Sequence, residues 1–400
     1  MRVLIVNCNF KIETGADFIA CETYKLLKEN GHDVCFFASD NKPYFEDAEF
    51  TKYFTHYPLT AFEYAKHPLK YYYNREAEQR MREIIEEFKP DVVHLHYILH
   101  PAITFSIIKP CIENNLKIVF TLHDSFLTCP ATTLLKNNKN YCHEQCCDKN
   151  KLNCFFNNCG AKGLEQSLRL SLLAYFNKSL NYLKNVTFIT PSEALKRICD
   201  KSKIGNVKVI NNFAGEFFER SKPSFEDEGY FLFSGRLVEE KGIFDVIKAA
   251  KLLPENIKIH IVGRGNKEKQ VKDLVKKYGL KNIDFKGFMD RKDLYNEYKN
   301  CIATIVPSTW FENFPTIIME SFFTGKPVIA SNIGGIVEMV EDNKTGMLFE
   351  VGDYKTLASK MMSLFEDREL TKILGKNAYN KAKNLYTTKM SANKKTLQNR

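Results

Sequence analysis

The sequence predicts an α/β chain built as two doubly wound, parallel-sheet domains that face each other across a cleft. Short apolar runs alternate with amphipathic stretches of helical period, the pattern of successive βαβ units. This alternation is played through twice, starting again near Gly229. The length of 400 residues exceeds one ordinary core and suits two domains of roughly 200 residues each. With 44% hydrophobic and 26% charged residues, the chain has the balance of a globular protein.

In the first domain, residues 3–6, 33–37, 92–95, 117–122 and 186–190 read as strands, and 17–29, 76–88 and 164–183 as helices. Gly31, after Asn30, marks the end of the first helix. In the second domain, 230–233, 257–262, 283–285, 303–306, 328–330 and 346–349 read as strands. Helices are expected over 244–253 and 267–278, and from Pro315 to the stop signal Gly325-Lys-Pro327. The domains are expected at 1–210 and 229–375. Residues 211–228, with Pro223 and acidic side chains, read as the linker, and 376–400 as a C-terminal helix and tail.

The densest stretch runs from Val306 to Glu341. A strand, a loop and a helix start aim free backbone N–H groups and a positive dipole at one spot, which suits a phosphate. Glu312 lies in the loop and Glu320 inside the helix. Carboxylates beside a phosphate would repel it, so they are better suited to accept hydrogen bonds from sugar hydroxyls. A sugar joined to a diphosphate satisfies both requirements. The order Pro-Ser, Glu312, seven residues, Glu320, then Gly334-Gly335-x-x-Glu resembles the retaining glycosyltransferases of family 4. That resemblance covers nearly the whole chain and implies the GT-B architecture of two Rossmann-like domains, with the last helix crossing back to the first domain.

After the strand at 230–233 comes Gly235-Arg236-Leu237, then Lys241-Gly242. Glycine permits a tight turn, while Arg236 and Lys241 put two cations over a diphosphate; the order resembles the family's diphosphate loop. Gly263 lies in a Val-Gly-x-Gly turn that also reads as a plain βα turn, and Phe288 follows the next strand, where the family cradles the base; core packing accounts for this ring equally well. By resemblance Glu320 holds ribose hydroxyls and Glu312 those of the donor sugar. Asn313, Phe314, Pro315 and Thr316 line the sugar and phosphate pocket; the family commonly has glycine at 313 and 315.

In the first domain, Gly15 of Thr14-Gly15-Ala16 is expected near the donor phosphate by resemblance. His94 and His96 share one strand face, open to metal binding or to packing. His123, at a carboxyl strand end, is the candidate catalytic-pocket histidine, with Asp124 to orient it. These positions share one property: ligands of open α/β sheets bind outside the carboxyl ends of the strands.

Six of the 12 cysteines fall within 129–159. Four of them, Cys129, Cys142, Cys146 and Cys159, would suffice for a structural zinc, against the alternatives of reduced free thiols or disulfides. The formal charge of +10 fits anionic substrates, an anionic membrane surface or nucleic acid, but no nucleic-acid motif is present. Lys66, His67, Lys70, Tyr71, Tyr72, Tyr73 and Arg75 read either as a solvated helix face or as a dock for anionic head groups. No apolar run is long enough to span a membrane and the start reads as a strand, so the expected place is the cytoplasm, peripheral on the inner membrane face.

Together these readings predict a retaining transferase moving a hexosyl group from a nucleotide-diphosphate sugar to a glycan or lipid-linked hydroxyl acceptor. Catalysis would need no cofactor, because Arg236 and Lys241 replace a divalent cation. A GT-B sugar-nucleotide epimerase and a non-catalytic sugar-nucleotide or nucleic-acid binder are the alternatives.

Overall fold

The computed structural model describes residues 1–8, 14–38, 51–53, 68–98, 103–137, 140–142, 146, 150–161 and 163–388. The chain divides into two compact units, Met1–Ile210 and Asn211–Arg400. Cys147, Lys66 and His67 lie outside the described residues.

In the first unit, β1 (Arg2–Val6), β2 (Asp33–Ala38), β3 (Thr51–Tyr53), β4 (Val92–Leu95) and β5 (Lys117–Thr121) share one sheet. A short antiparallel hairpin, β6 (Leu135–Lys136) with β7 (Asn140–Tyr141), follows. The sheet then resumes with β8 (Val186–Thr190) and β9 (Val207–Val209). Its order is β3-β2-β1-β4-β5-β8-β9, and every pair is parallel. Strands β3 and β9 carry only three residues each, too few for a periodic signal in the sequence.

The second unit contains β10 (Tyr230–Ser234), β11 (Lys258–Val262), β12 (Ile283–Gly287), β13 (Thr304–Val306), β14 (Val328–Ser331) and β15 (Gly346–Phe349). Their order is β12-β11-β10-β13-β14-β15, again parallel throughout. Parallel strands covered on both faces must be apolar along their whole length, and β10 and β13 are buried at every residue. Two clusters fill the two faces. One joins Phe231, Phe233 and Ile259 to helices Ile243–Ala250 and Tyr354–Glu366. The other joins Leu232, Tyr298, Phe322 and Val328 around helix Thr316–Phe323.

Two boundaries differ from expectation. Residues 211–228 are built into the second unit: Phe218 is buried in its core, and the Ala214 N–H donates to the Tyr386 carbonyl at 3.2 Å. The expected break at 375/376 falls inside one helix, Arg368–Leu385, which buries Ala378 and Ala382 in the same core. Residues 376–385 continue that helix and pack on helix Thr316–Phe323; 389–400 lie outside the described residues. Similarly, the helix expected over 164–183 ends at Ser179, because Asn181 adopts a left-handed φ of 56°.

Glycine is required where the loops of the second unit converge. At Gly242, φ is +71° and an added Cβ would lie 1.8 Å from the Pro307 carbonyl oxygen. At Gly352, φ is +80° but nothing lies within 4 Å. Gly242→Ala is therefore expected to destabilise the protein by at least about 3 kcal/mol in urea unfolding, whereas Gly352→Ala should lose only about 1 kcal/mol. Equal losses at both positions would contradict the backbone contact at Pro307.

Candidate active site

The loops after β10, β11 and β13 are sewn together at the carboxyl end of the second sheet. The Gly235 N–H donates to Val262, and the Leu237 N–H to Arg264. The Thr309 N–H donates to the Glu240 carbonyl at 2.9 Å. The loop after β14 joins them: the Gly335 N–H reaches the Glu312 carbonyl at 2.7 Å, and a Cβ on Gly334 would meet that oxygen at 2.4 Å. Gly263 serves the same closeness, since a Cβ there would lie 1.9 Å from the Gly235 oxygen. The Val-Gly-x-Gly turn is thus a packing requirement of the site's floor.

At the meeting point is Glu312, buried to 7% exposure. Its Oε1 accepts from Lys241 Nζ at 2.6 Å, Ser308 Oγ at 2.7 Å and Trp310 Nε1 at 2.8 Å. Burial alone would raise this carboxyl, but the Lys241 charge and the hydrogen bonds outweigh it and hold the group below its ordinary range. Lys241 Nζ also stands 5.6 Å from the Trp310 ring centroid, a cation–π approach. Sequence reasoning had assigned Lys241 to phosphate and Glu312 to sugar separately; the structure brings them into contact. Ser308 and a role for Trp310 had been passed over, although both flank Glu312 within four residues.

Other residues of this end surround the pair. Arg236 is exposed, and its guanidinium has no ion-pair partner among the described residues. Phe288 is 70% exposed, which removes the core-packing reading, and the Arg264 guanidinium stands 5.9 Å from its ring centroid. Asn313, Phe314 and Pro315 are buried; Pro315 precedes the helix Thr316–Phe323 instead of opening it, in extended conformation. Glu320 accepts from the Tyr298 hydroxyl at 2.9 Å. Burial raises the Glu320 carboxyl above its usual value, with Tyr298, Arg291 and Thr316 partly opposing.

In the first unit the carboxyl ends of β1, β4 and β5 carry a second constellation. Thr14 caps the Gly15–Glu29 helix in a capping box with Asp17, leaving Gly15 exposed at the first helical position. Buried Asp17 also accepts from Asn7 Nδ2 at 2.8 Å, and Asn7 Oδ1 accepts from the Tyr97 N–H at 3.0 Å. The Thr-x-x-Asp spacing could have revealed Asp17 from sequence.

His123 Nε2 lies 3.0 Å from His96 Nδ1, the rings nearly parallel. His94 Nε2 lies 2.8 Å from Thr121 Oγ1. The histidines alternate along β4 and meet β5 neighbours, so their shared strand face serves an imidazole and hydroxyl network. Asp124 Oδ1 accepts from the Phe126 N–H at 3.0 Å. Burial pushes the Asp124 carboxyl up to about 6, and the Phe126 N–H opposes this.

The expected zinc site is not formed. Cys129, Cys142, Cys146 and Cys159 are each buried, but among the described residues no three or more His, Cys, Asp or Glu side chains are grouped to hold a metal ion. Cys146, Cys154 and Cys159 instead make a small apolar cluster with Ala131. The Cys154 thiol donates towards Cys159, which raises the donor and lowers the acceptor. Desolvation pushes Cys129 up to about 12. Among the described residues no helix is long and apolar enough to cross a membrane.

Comparison with known proteins agrees with this geometry. The family model for glycosyl transferases group 1 matches residues 215–381, and that for Glycosyltransferase Family 4 matches residues 14–214, half of the chain. N-acetyl-alpha-D-glucosaminyl L-malate synthase of Bacillus anthracis is 24% identical over 386 residues, 91% of this chain and 88% of that relative. The Campylobacter jejuni alpha-1,4-N-acetyl-D-galactosaminyltransferase that acts on GalNAc-alpha-(1->4)-GalNAc-alpha-(1->3)-diNAcBac-PP-undecaprenol is 33% identical over 167 residues, 40% of this chain and 45% of that relative. In fold, Anabaena HepE in complex with UDP-glucose matches over 100% of both chains, with a TM-score of 0.71 at 18% identity. The chain belongs to glycosyltransferase family 4 and is a glycosyltransferase.

Proposed function

We propose that the protein transfers a hexosyl group, with retention, from a nucleotide-diphosphate sugar to a hydroxyl of a glycan or lipid-linked acceptor in surface polysaccharide synthesis. The observation that carries this reading is the Lys241–Glu312 ion pair, its carboxylate buried, at the carboxyl end of the second sheet, with the exposed Arg236 five residues before Lys241 in the same loop. Arg236 and Lys241 supply the positive charge that a departing diphosphate requires, so no divalent cation is called for. Glu312 accepts from the donor-sugar hydroxyls, Glu320 from the ribose, and the exposed Phe288 ring with Arg264 offers a platform for the base. The likeness to HepE bound to UDP-glucose supports a nucleotide-sugar donor, and the undecaprenol-linked substrate of the Campylobacter relative supports a lipid-linked acceptor. Such an acceptor would place the enzyme in the cytoplasm, peripheral on the inner membrane face.

In the reaction, the acceptor hydroxyl attacks from the face the diphosphate leaves, and the departing phosphate oxygen takes its proton. The C–O bond to the acceptor forms as the bond to phosphate breaks. In the first unit, His123 stands at the carboxyl end of β5 with its Nε2 3.0 Å from His96 Nδ1.

Three outcomes follow from this assignment. In a thermal-shift screen, one class of nucleotide sugar raises the Tm of the protein and the others do not; no stabilisation by any would refute donor binding. Lys241→Ala lowers turnover at least about 100-fold and, by leaving Glu312 buried without its cation, destabilises the fold by about 3–5 kcal/mol. Lys241→Ala/Glu312→Gln recovers most of that stability but none of the turnover; near-normal transfer by either variant would overturn the diphosphate role. The third outcome concerns Asp124. Folding raises its carboxyl from 3.8 to about 6, so its contribution to stability is full below 3.8 and is lost as pH rises towards 6. Asp124→Asn should therefore gain Tm relative to the parent across that interval and hold the gain above it. A difference independent of pH would contradict burial of this carboxyl.

A further inference from the structure

The helix Leu164–Ser179 is inverted with respect to the ordinary rule of burial. Ser167 and Ser171, four residues apart, are fully buried. Ser167 Oγ accepts from the Gly160 N–H at 2.8 Å and donates to the Gly163 carbonyl, while Ser171 Oγ donates to the carbonyls of Lys151 and Ser167. The adjoining flank of the helix, about a quarter turn from the serines, carries Leu164, Leu168, Leu172 and Tyr175, exposed by 55, 39, 45 and 39%. Their spacing of four, four and three residues aligns them as one stripe. Exposed leucines are common singly, but a continuous exposed apolar stripe on a helix that buries its serines marks a surface made for an apolar environment.

Two further segments packed on this helix also expose apolar side chains. Phe156, 70% exposed, belongs to the short helix Asn153–Phe156, which packs on the Leu164–Ser179 helix. Leu69, 81% exposed, lies in the 3-10 turn Pro68–Tyr71. That turn is held to the helix by Tyr72 against Phe176, ring centroids 5.8 Å apart, and by Arg169 over Tyr71 at 5.9 Å. The charges on the helix and the turn that follows it are Glu165 against Arg169, Lys178 and Lys184; both lysines are exposed. Cations beside an apolar stripe, with a tyrosine whose hydroxyl turns to Asn150, are the chemistry of a helix lying in the head-group region of an anionic bilayer. A second copy of the chain would bring the same cations against one another.

We propose that the outward face of the Leu164–Ser179 helix, continued by Phe156 and Leu69, docks the protein on an anionic lipid surface. The inference rests on the peripheral-membrane reading above and names the surface that performs it. The cation and aromatic stretch from Lys66 to Arg75, read from sequence either as a solvated helix face or as a dock for head groups, includes Leu69 and Lys70.

The test is co-sedimentation of the full chain with vesicles of phosphatidylglycerol and phosphatidylcholine, beside vesicles of phosphatidylcholine alone. The parent protein is expected to bind the anionic vesicles, and less as salt rises. Leu168→Gln/Leu172→Gln should weaken that binding at least about tenfold, and Lys178→Glu/Lys184→Glu should also weaken it. Both variants should keep the thermal stabilisation by nucleotide sugar shown by the parent, which reports an intact fold and donor site. Parent binding that Leu168→Gln/Leu172→Gln leaves unchanged would overturn this face and leave the peripheral reading standing. Absence of parent binding to anionic vesicles would overturn both. Conversion of a parent dimer to a monomer by Leu168→Gln/Leu172→Gln, without vesicle binding, would assign the face to self-association instead.

Discussion

Burying one carboxylate against one ammonium organises the carboxyl end of the second unit. Removing two charges from water costs several kcal/mol for each, and their attraction offsets this only with good geometry and further hydrogen bonds. Glu312 has both: Lys241 at 2.6 Å, with Ser308 and Trp310 donating to the same oxygen. To bring these groups together, loops from separate strands must touch backbone to backbone. That is why glycine stands at 242 against Pro307 and at 334 against Glu312. Arg236 and Phe288 are exposed at the same end of the sheet.

Much of this was legible in the sequence, for physical reasons. Apolar runs ending in glycine or proline mark buried parallel strands and their loops, so both sheets and the placement of every motif at carboxyl strand ends could be read directly. Glu312, Lys241 and Glu320 were identifiable by residue type and spacing. Their partners were not: Lys241 and Glu312 are 71 positions apart, Glu320 and Tyr298 lie on different helices, and His96 and His123 meet across neighbouring strands. Pairing between distant segments is decided by sheet order, which periodicity does not report.

Other differences also have local causes. The three-residue strands β3 and β9 are too short to show a period. The expected break at 375/376 was not marked by any stop signal, because residues 376–385 continue one amphipathic helix that packs on helix Thr316–Phe323. The zinc reading rested on cysteine density in an expected reducing compartment and on resemblance to a cysteine-bearing loop of the family. Density brought the thiols into one segment and made some of them neighbours, but it does not set the convergence that a metal demands. That segment has a different consequence: its turns supply the carbonyl and N–H groups that bury Ser167 and Ser171, and so turn the leucines of the following helix outward.

The central claim is that Glu312, held by Lys241, is the sugar end of a donor site whose diphosphate end is formed by Arg236 and Lys241. Calorimetric titration of Glu312→Gln and Arg236→Ala with the nucleoside diphosphate and with its sugar conjugate tests it directly. The account predicts that Arg236→Ala weakens both ligands alike, whereas Glu312→Gln removes the extra affinity of the sugar conjugate and leaves the nucleoside diphosphate comparatively unaffected. Equal weakening of both ligands by Glu312→Gln, or no effect of either substitution, would contradict it.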